Sequence, residues 1–190
     1  MYFQKTLGWM SLAFLATSTQ ASELDFALSE ETAALEVHLD TNRISSEGAK
    51  ISFGGLYNED DDILGFVGIT SGGVSTAADK PYSLGVGVRL YYASLDNPDS
   101  RVGALALGLN GRVKFSAGIP LALAADFHFA PKITTFEEGD DLLDTRIRLE
   151  TDVSENATAF VGYRTITLGL KSAPEYKVDD HVQLGVRLSF

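Results

Sequence analysis

The sequence predicts an all-β protein: a transmembrane, up-and-down antiparallel β-barrel, with ten strands favoured and eight as the alternative. Three observations point there. Apolar residues recur at every second position through most of the chain, and helical periodicity is nearly absent. The final residues, 181–190, place Val182, Leu184, Val186, Leu188 and Phe190 on one face of a strand, against His181, Gln183, Gly185, Arg187 and Ser189 on the other. Beyond the first two dozen residues no apolar run is long enough for a membrane helix. A membrane-embedded form therefore has to be a closed barrel, because an open strand edge in lipid leaves backbone groups unpaired.

Residues 1–21 read as a signal peptide. Lys5 supplies the positive start, residues 7–16 an apolar core too short to span a bilayer, and Thr19 and Ala21 the small residues before a cleavage site after Ala21. Residues 22–190 read as a single barrel domain. The chain has no cysteine, so the expected fold stands on packing and backbone hydrogen bonds. A formal charge of −11 argues against nucleic acid as a partner. It does not argue against an outer membrane, where barrels carry charge in loops and lumen.

The strands follow in order. Residues 24–28 form a short first candidate. Residues 33–40 set Leu35, Val37 and Leu39 against Glu36, His38 and Asp40. Residues 49–57 set Ile51, Phe53 and Tyr57 against Lys50, Ser52 and Gly54. Residues 63–70 are apolar on both faces, so periodicity does not assign their facing. Residues 82–93 alternate cleanly, with Leu84, Val86, Val88, Leu90 and Tyr92 opposite Ser83, Gly85, Gly87, Arg89 and Tyr91. Residues 101–115 contain Asn110-Gly111, a pair that suits a hairpin turn. One long strand is preferred, because the parity of Leu105, Leu107, Leu109, Val113 and Phe115 runs straight through it. Residues 119–130 put Leu121, Leu123, Phe127 and Phe129 opposite Asp126 and His128. Residues 142–152 alternate Leu143, Ile147 and Leu149 with Asp144, Arg146, Arg148 and Glu150. Residues 157–170 alternate too, but the apolar phase changes near Thr165, which predicts a bulge. Residues 181–190 are the last strand.

Turn-like links lie at 29–32, 58–62, 96–100, 116–118 and 153–156, and longer ones at 41–48, 71–81, 131–141 and 171–179. With both termini on the periplasmic side the strand number must be even, and ten fits. The links at 58–62, 96–100, 131–141 and 171–179 then face outward from the cell.

A soluble β-sandwich alternates as well. The barrel is preferred because Gly, Ala and charge crowd the polar face, and because Tyr57, Tyr92, Phe115, Phe129, Tyr163 and Phe190 lie near strand ends, as interfacial girdles do. The expected lumenal set is Glu36, His38, Asp40, Lys50, Arg89, Arg112, Lys114, Asp126, His128, Asp144, Arg146, Arg148, Glu150, Arg164, His181 and Arg187. Such a lumen either conducts solutes or fills a narrow barrel with ion pairs. The second reading is preferred, since eight strands enclose just enough room for their side chains and ten only a little more.

The three histidines carry no metal-binding spacing, and neither metal nor cofactor is expected. His128 and Asp126 share the inward face with Ser52 and Ser83, but nothing beyond facing supports a nucleophilic site. The acidic stretches 58–62 and 137–141 offer carboxylates to Ca²⁺ or Mg²⁺ without EF-hand spacing, and are read as solvated loops.

Several stretches together resemble the YfaZ family of small outer-membrane proteins of Gram-negative bacteria. These are I-S-F-G-G-L-Y-N-E-D-D-D at 51–62, the Gly-rich strands 83–89 and 103–109, A-D-F-H-F-A-P at 125–131, F-V-G-Y-R at 160–164 and the terminal V-R-L-S-F. The resemblance spans nearly the whole mature chain and implies an outer-membrane β-barrel; it implies no catalytic residue. The expectation is a monomeric, non-enzymatic structural or narrow-channel barrel in the bacterial outer membrane. Its expected partners are outer-membrane lipids, lipopolysaccharide, periplasmic chaperones and the barrel-assembly machinery, with Phe190 as the assembly signal. The alternatives are a barrel enzyme acting on lipid or peptide, and a soluble periplasmic β-domain.

Overall fold

The computed structural model describes residues 22–40, 49–71, 81–116 and 118–190; the expected signal peptide and the links at 41–48 and 72–80 lie outside the described residues. Ten long strands form the wall: β1 (Ser22–Leu28), β2 (Thr32–Asp40), β3 (Lys50–Asn58), β4 (Ile63–Ser71), β5 (Tyr82–Leu95), β6 (Ser100–Ser116), β7 (Pro120–Ala130), β9 (Gly139–Ser154), β10 (Ala157–Leu170) and β11 (Tyr176–Ser189). A short β8 (Thr135–Glu137) accompanies them. Each long strand pairs antiparallel with the long strands before and after it, β8 pairs with β6, and β1 closes on β11 with Glu23 opposite Ser189 and Leu28 opposite Leu184. The sheet thus has no open long edge, which is what lets strands stand in lipid.

Strand β6 runs through Asn110-Gly111 without turning: Asn110 pairs with Gly85 on one side and Asp126 on the other. The turn comes instead after Ser116, where Gly118 takes the positive φ of 80° that suits a residue without a Cβ. The link expected over 131–141 is largely structured. A single 3-10 turn, Lys132–Thr134, interrupts the seventh stave, which resumes as β8 against Val102–Ala104 of β6. Strand β9 then begins at Gly139, and β11 begins at Tyr176 rather than at His181.

The expected phase change near Thr165 is corrected in an instructive way. A register shift does occur, between Ile166 and Thr167 where β10 meets β11, and the extra residue is Val178 of β11. Strand β10 itself keeps its parity. Phe160, Arg164, Ile166, Leu168 and Leu170 all face inward and are buried, while Val161 and Tyr163 face out. Apolarity changes along the strand because the interior changes character, not because the strand flips.

The outside is apolar throughout. Leu84, Leu107, Val182 and Leu184 stand among the exposed large side chains, as do all six expected girdle aromatics. Burying these faces against a second sheet, as a sandwich would, is precluded because the sheet closes on itself. The interior has two zones. Near the rim away from the chain ends, Leu56, Leu64, Phe66, Tyr91, Val102, Leu142, Ile166, Leu168 and Val178 converge in one apolar cluster, with Leu64, Leu142, Ile166 and Leu168 fully buried. Between that plug and the rim carrying the chain ends, the interior is charged. Strand β4 is now assigned: Leu64 and Phe66 point into the plug, Ile63, Val67 and Ile69 outward.

Candidate functional site

The charged zone is one continuous network of side chains from nine strands. Asp25 accepts two hydrogen bonds from Arg187, both 2.7 Å, and one of 2.8 Å from Arg148. Arg148 also reaches Asp126 at 3.3 Å, and Asp126 accepts from Arg146 at 3.2 Å. Arg146 continues to Glu36 at 3.1 Å, and Arg89 meets the other Glu36 oxygen at 2.9 Å. Asp144 takes two bonds from Arg164, at 3.2 and 2.9 Å, and a third from the Tyr91 hydroxyl at 2.9 Å. Toward the terminus rim, Glu150 accepts from Arg112 at 2.7 Å and lies 3.5 Å from Arg187. There Lys50 pairs with Glu23 at 3.2 Å.

Six arginines and Lys50 therefore meet six carboxylates, each charge buried only with a partner. That condition is what makes such an interior tolerable: an isolated buried charge costs several kcal/mol on the order of its lost hydration, and bidentate guanidinium–carboxylate geometry offsets it. Two stacked contacts tie the network to its surroundings. The Arg89 guanidinium lies 4.0 Å over the Phe66 ring, at the floor of the plug, and Arg148 lies 5.2 Å over Phe160. Small residues opposite make the room: at Gly185 an added Cβ would run into the Phe160 ring.

The expected lumenal residues are distributed as follows. Glu36, Arg89, Asp126, Asp144, Arg146, Arg148, Glu150, Arg164, Arg112 and Arg187 join the network. Lys50 stands at its edge, opposite Asp40 in the β2–β3 register. Lys114 is exposed, two residues beyond Arg112 at the terminus rim. The three histidines are scattered. His38 sits 3.8 Å from both Asp25 and Glu36, and His128 is buried with its ring laid over Gly108. His181 is at the opposite rim, against Glu31 and Asp179. Among the described residues no three metal-capable side chains come together.

Among the described residues no nucleophile relay is assembled either. Ser52, Ser83, His128 and Asp126 line a common space, but the Asp126 oxygen in use is occupied by Arg146 and Arg148.

Sequence reading missed two groups. Asp25 and Glu23 were overlooked although they alternate with Leu24, Phe26 and Leu28 on β1, a usable signal. The second group caps the plug and is hidden in turns. Asp62 is fully buried and accepts from Asn58 Nδ2 at 2.9 Å, the Asp96 backbone N–H at 2.9 Å and the Tyr176 hydroxyl at 2.6 Å. Asn58 Nδ2 also donates to the Val178 carbonyl at 3.2 Å. Asp179 accepts from Gln183 at 2.7 Å. The acidic stretch 58–62 therefore spends its innermost carboxylate on protein donors. In the stretch 137–141, Asp140 pairs with Lys132 at 2.9 Å and Glu138 accepts from the Arg101 N–H at 2.9 Å. Adding Ca²⁺ or EDTA to the protein in lipopolysaccharide-containing detergent is accordingly expected to leave its melting temperature unchanged; a rise with Ca²⁺ reversed by EDTA would contradict this.

Residues 4–190 match the family model described as "YfaZ precursor". Among solved structures the chain is similar to a KdgM porin, at 10% identity over 90% of this chain and 99% of that one, with a TM-score of 0.44. It is similar to the NanC porin at 9% identity over 90% and 100%, again with a TM-score of 0.44. A third similarity is to OmpT, an outer membrane protein of Vibrio cholerae, at 13% identity over 92% and 62%, with a TM-score of 0.38. No curated protein matches.

Proposed function

The chain belongs to the YfaZ family, and from that premise we propose that it is a small outer-membrane β-barrel with a sealed lumen, non-enzymatic and structural in the cell envelope. One observation carries the reading: an apolar plug and an ion-paired network lie in series inside a single closed wall. A solute entering from the terminus rim would have to part buried guanidinium–carboxylate pairs and then cross side chains packed without exposure to water. Either step alone is a large barrier to a hydrated ion.

The apolar exterior supports the membrane setting. The leader at 1–21 supports export, and Phe190 is the residue we assign to recognition by the barrel-assembly machinery. With the chain ends in the periplasm, the acidic turns at 59–61 and the 137–141 stretch face lipopolysaccharide.

Planar-bilayer recording tests the reading. Purified wild-type protein is expected to give no discrete conductance steps. Leu64→Ala combined with Ile166→Ala and Leu168→Ala, which thins the plug, is expected to give brief small openings. Stable stepwise conductance by the wild type would replace the sealed barrel with a narrow channel.

A further inference from the structure

The charged zone is not filled. A cavity of about 130 Å³ remains between the network and the terminus rim. Exposure grades along it. At the mouth the side chains of Lys50, Glu23 and Arg112 are 33%, 28% and 28% exposed, whereas Arg89 and Glu36 at the inner end are 7% and 5%. Past Arg89 come Phe66 and Tyr91 of the plug. Among the described residues the cavity is a pit, closed at its inner end by the plug and open toward the side of the chain ends.

Its wall carries buried polar atoms that make no hydrogen bond within the protein: His38 Nε2, His128 Nδ1, Arg148 Nε, Asn110 Oδ1 and Glu150 Oε1, of which Arg148 Nε and Glu150 Oε1 face each other at 3.6 Å. His128, Arg148 and Glu150 are each at least nine-tenths buried. Leaving such atoms unpaired is costly, about 1–3 kcal/mol for each buried polar group. The set is mixed. Arg148 Nε is a donor, Asn110 Oδ1 and Glu150 Oε1 are acceptors, and His128 Nδ1 is either, according to tautomer.

A small anion would satisfy the donor and be repelled by Glu150, and a cation would face the arginines. A molecule bearing several hydroxyls both donates and accepts, and answers the whole set without adding charge to a balanced network. A cavity of this size holds several waters, or a small polyol in their place.

We propose that the terminus-side pit is a binding site for a small uncharged polyol, oriented by Arg148, Glu150, Asn110 and His128. The site requires no passage across the barrel, so it stands independently of whether the lumen conducts.

Ligand-observed saturation-transfer NMR on refolded protein in micelles tests it, with erythritol as the neutral probe and succinate as the anionic one. Wild-type protein is expected to give saturable transfer to erythritol and none to succinate. His128→Phe keeps a flat ring over Gly108 but removes the ring nitrogens. Ala124→Met extends a side chain into the pit from β7. Each is expected to weaken erythritol binding at least about fivefold, the factor that corresponds to one lost hydrogen bond. Absence of saturable transfer with the wild type means that the pit holds water only and overturns the proposal, whatever the variants do. Preference for succinate, or equal transfer to wild type and to heat-modifiable, folded variants, overturns it as well.

Discussion

Asp25→Ala is expected to destabilise the refolded protein by about 3–5 kcal/mol, the usual cost of removing one partner from a buried ion pair. Asp25 is the junction of the network. It takes both Arg187 bonds and one from Arg148, and it lies on the first strand, at the seam that closes the barrel against β11. Without it two guanidinium groups from two strands lose their shared acceptor. Their repulsion then falls across the register that joins β1 to β11. Urea titration followed by the shift between folded and unfolded migration on a cold gel measures the effect. Lys132→Ala, which breaks the exposed pair with Asp140, is the control and should move the midpoint by no more than about 1 kcal/mol. Equal midpoints for Asp25→Ala and wild type would show that the network fills space without holding the seam.

Phe190→Ala is expected to behave in the opposite manner. Phe190 follows the last paired residue, Ser189, and its side chain is 60% exposed. The chain end is held by backbone contacts that do not involve its ring: Ser189 N–H donates to the Asn156 carbonyl, and Asn156 Nδ2 donates to the Ser189 carbonyl. Its removal should therefore leave the midpoint of the refolded protein almost unchanged. In cells, however, the folded pool in the outer-membrane fraction should fall severalfold, further than for Asp25→Ala or any other single lumenal substitution. The two measurements together separate a recognition role from a packing role. Normal insertion of Phe190→Ala in cells would leave the terminal aromatic as one more lipid-facing side chain.

Much of this molecule was legible beforehand because the wall obeys a simple period. On β5, β6, β9 and the lower part of β11, alternation of Leu, Val and Ile with Gly, Ala and charge reports facing directly, since one side meets apolar surroundings and the other meets ions. The reading weakened where both sides of a strand are apolar. Strand β4 and the upper half of β10 were ambiguous for that one reason: their inner residues build the plug. Turn residues resisted for a different reason. Asp60, Asp61 and Asp62 are neighbours of one type, yet Asp62 alone turns inward to bind Asn58, Asp96 and Tyr176, and those partners come from three separate parts of the chain.

The sequence by itself determined the class of architecture, the even number of staves and the facing of the wall residues on every strand whose two sides differ in polarity, because strand geometry is local and its period is two. It also determined that the interior holds charges of both signs, while their balance emerged only with Glu23 and Asp25 of β1. Which arginine meets which carboxylate was decided only by tertiary structure. A pair such as Asp25 and Arg187 is far apart in the chain and adjacent only once the barrel closes. The same closure decided that the lumen is divided along its axis into a charged pit and an apolar plug. Period-two patterning carries facing but no depth, and depth emerges only when staggered strands are set side by side.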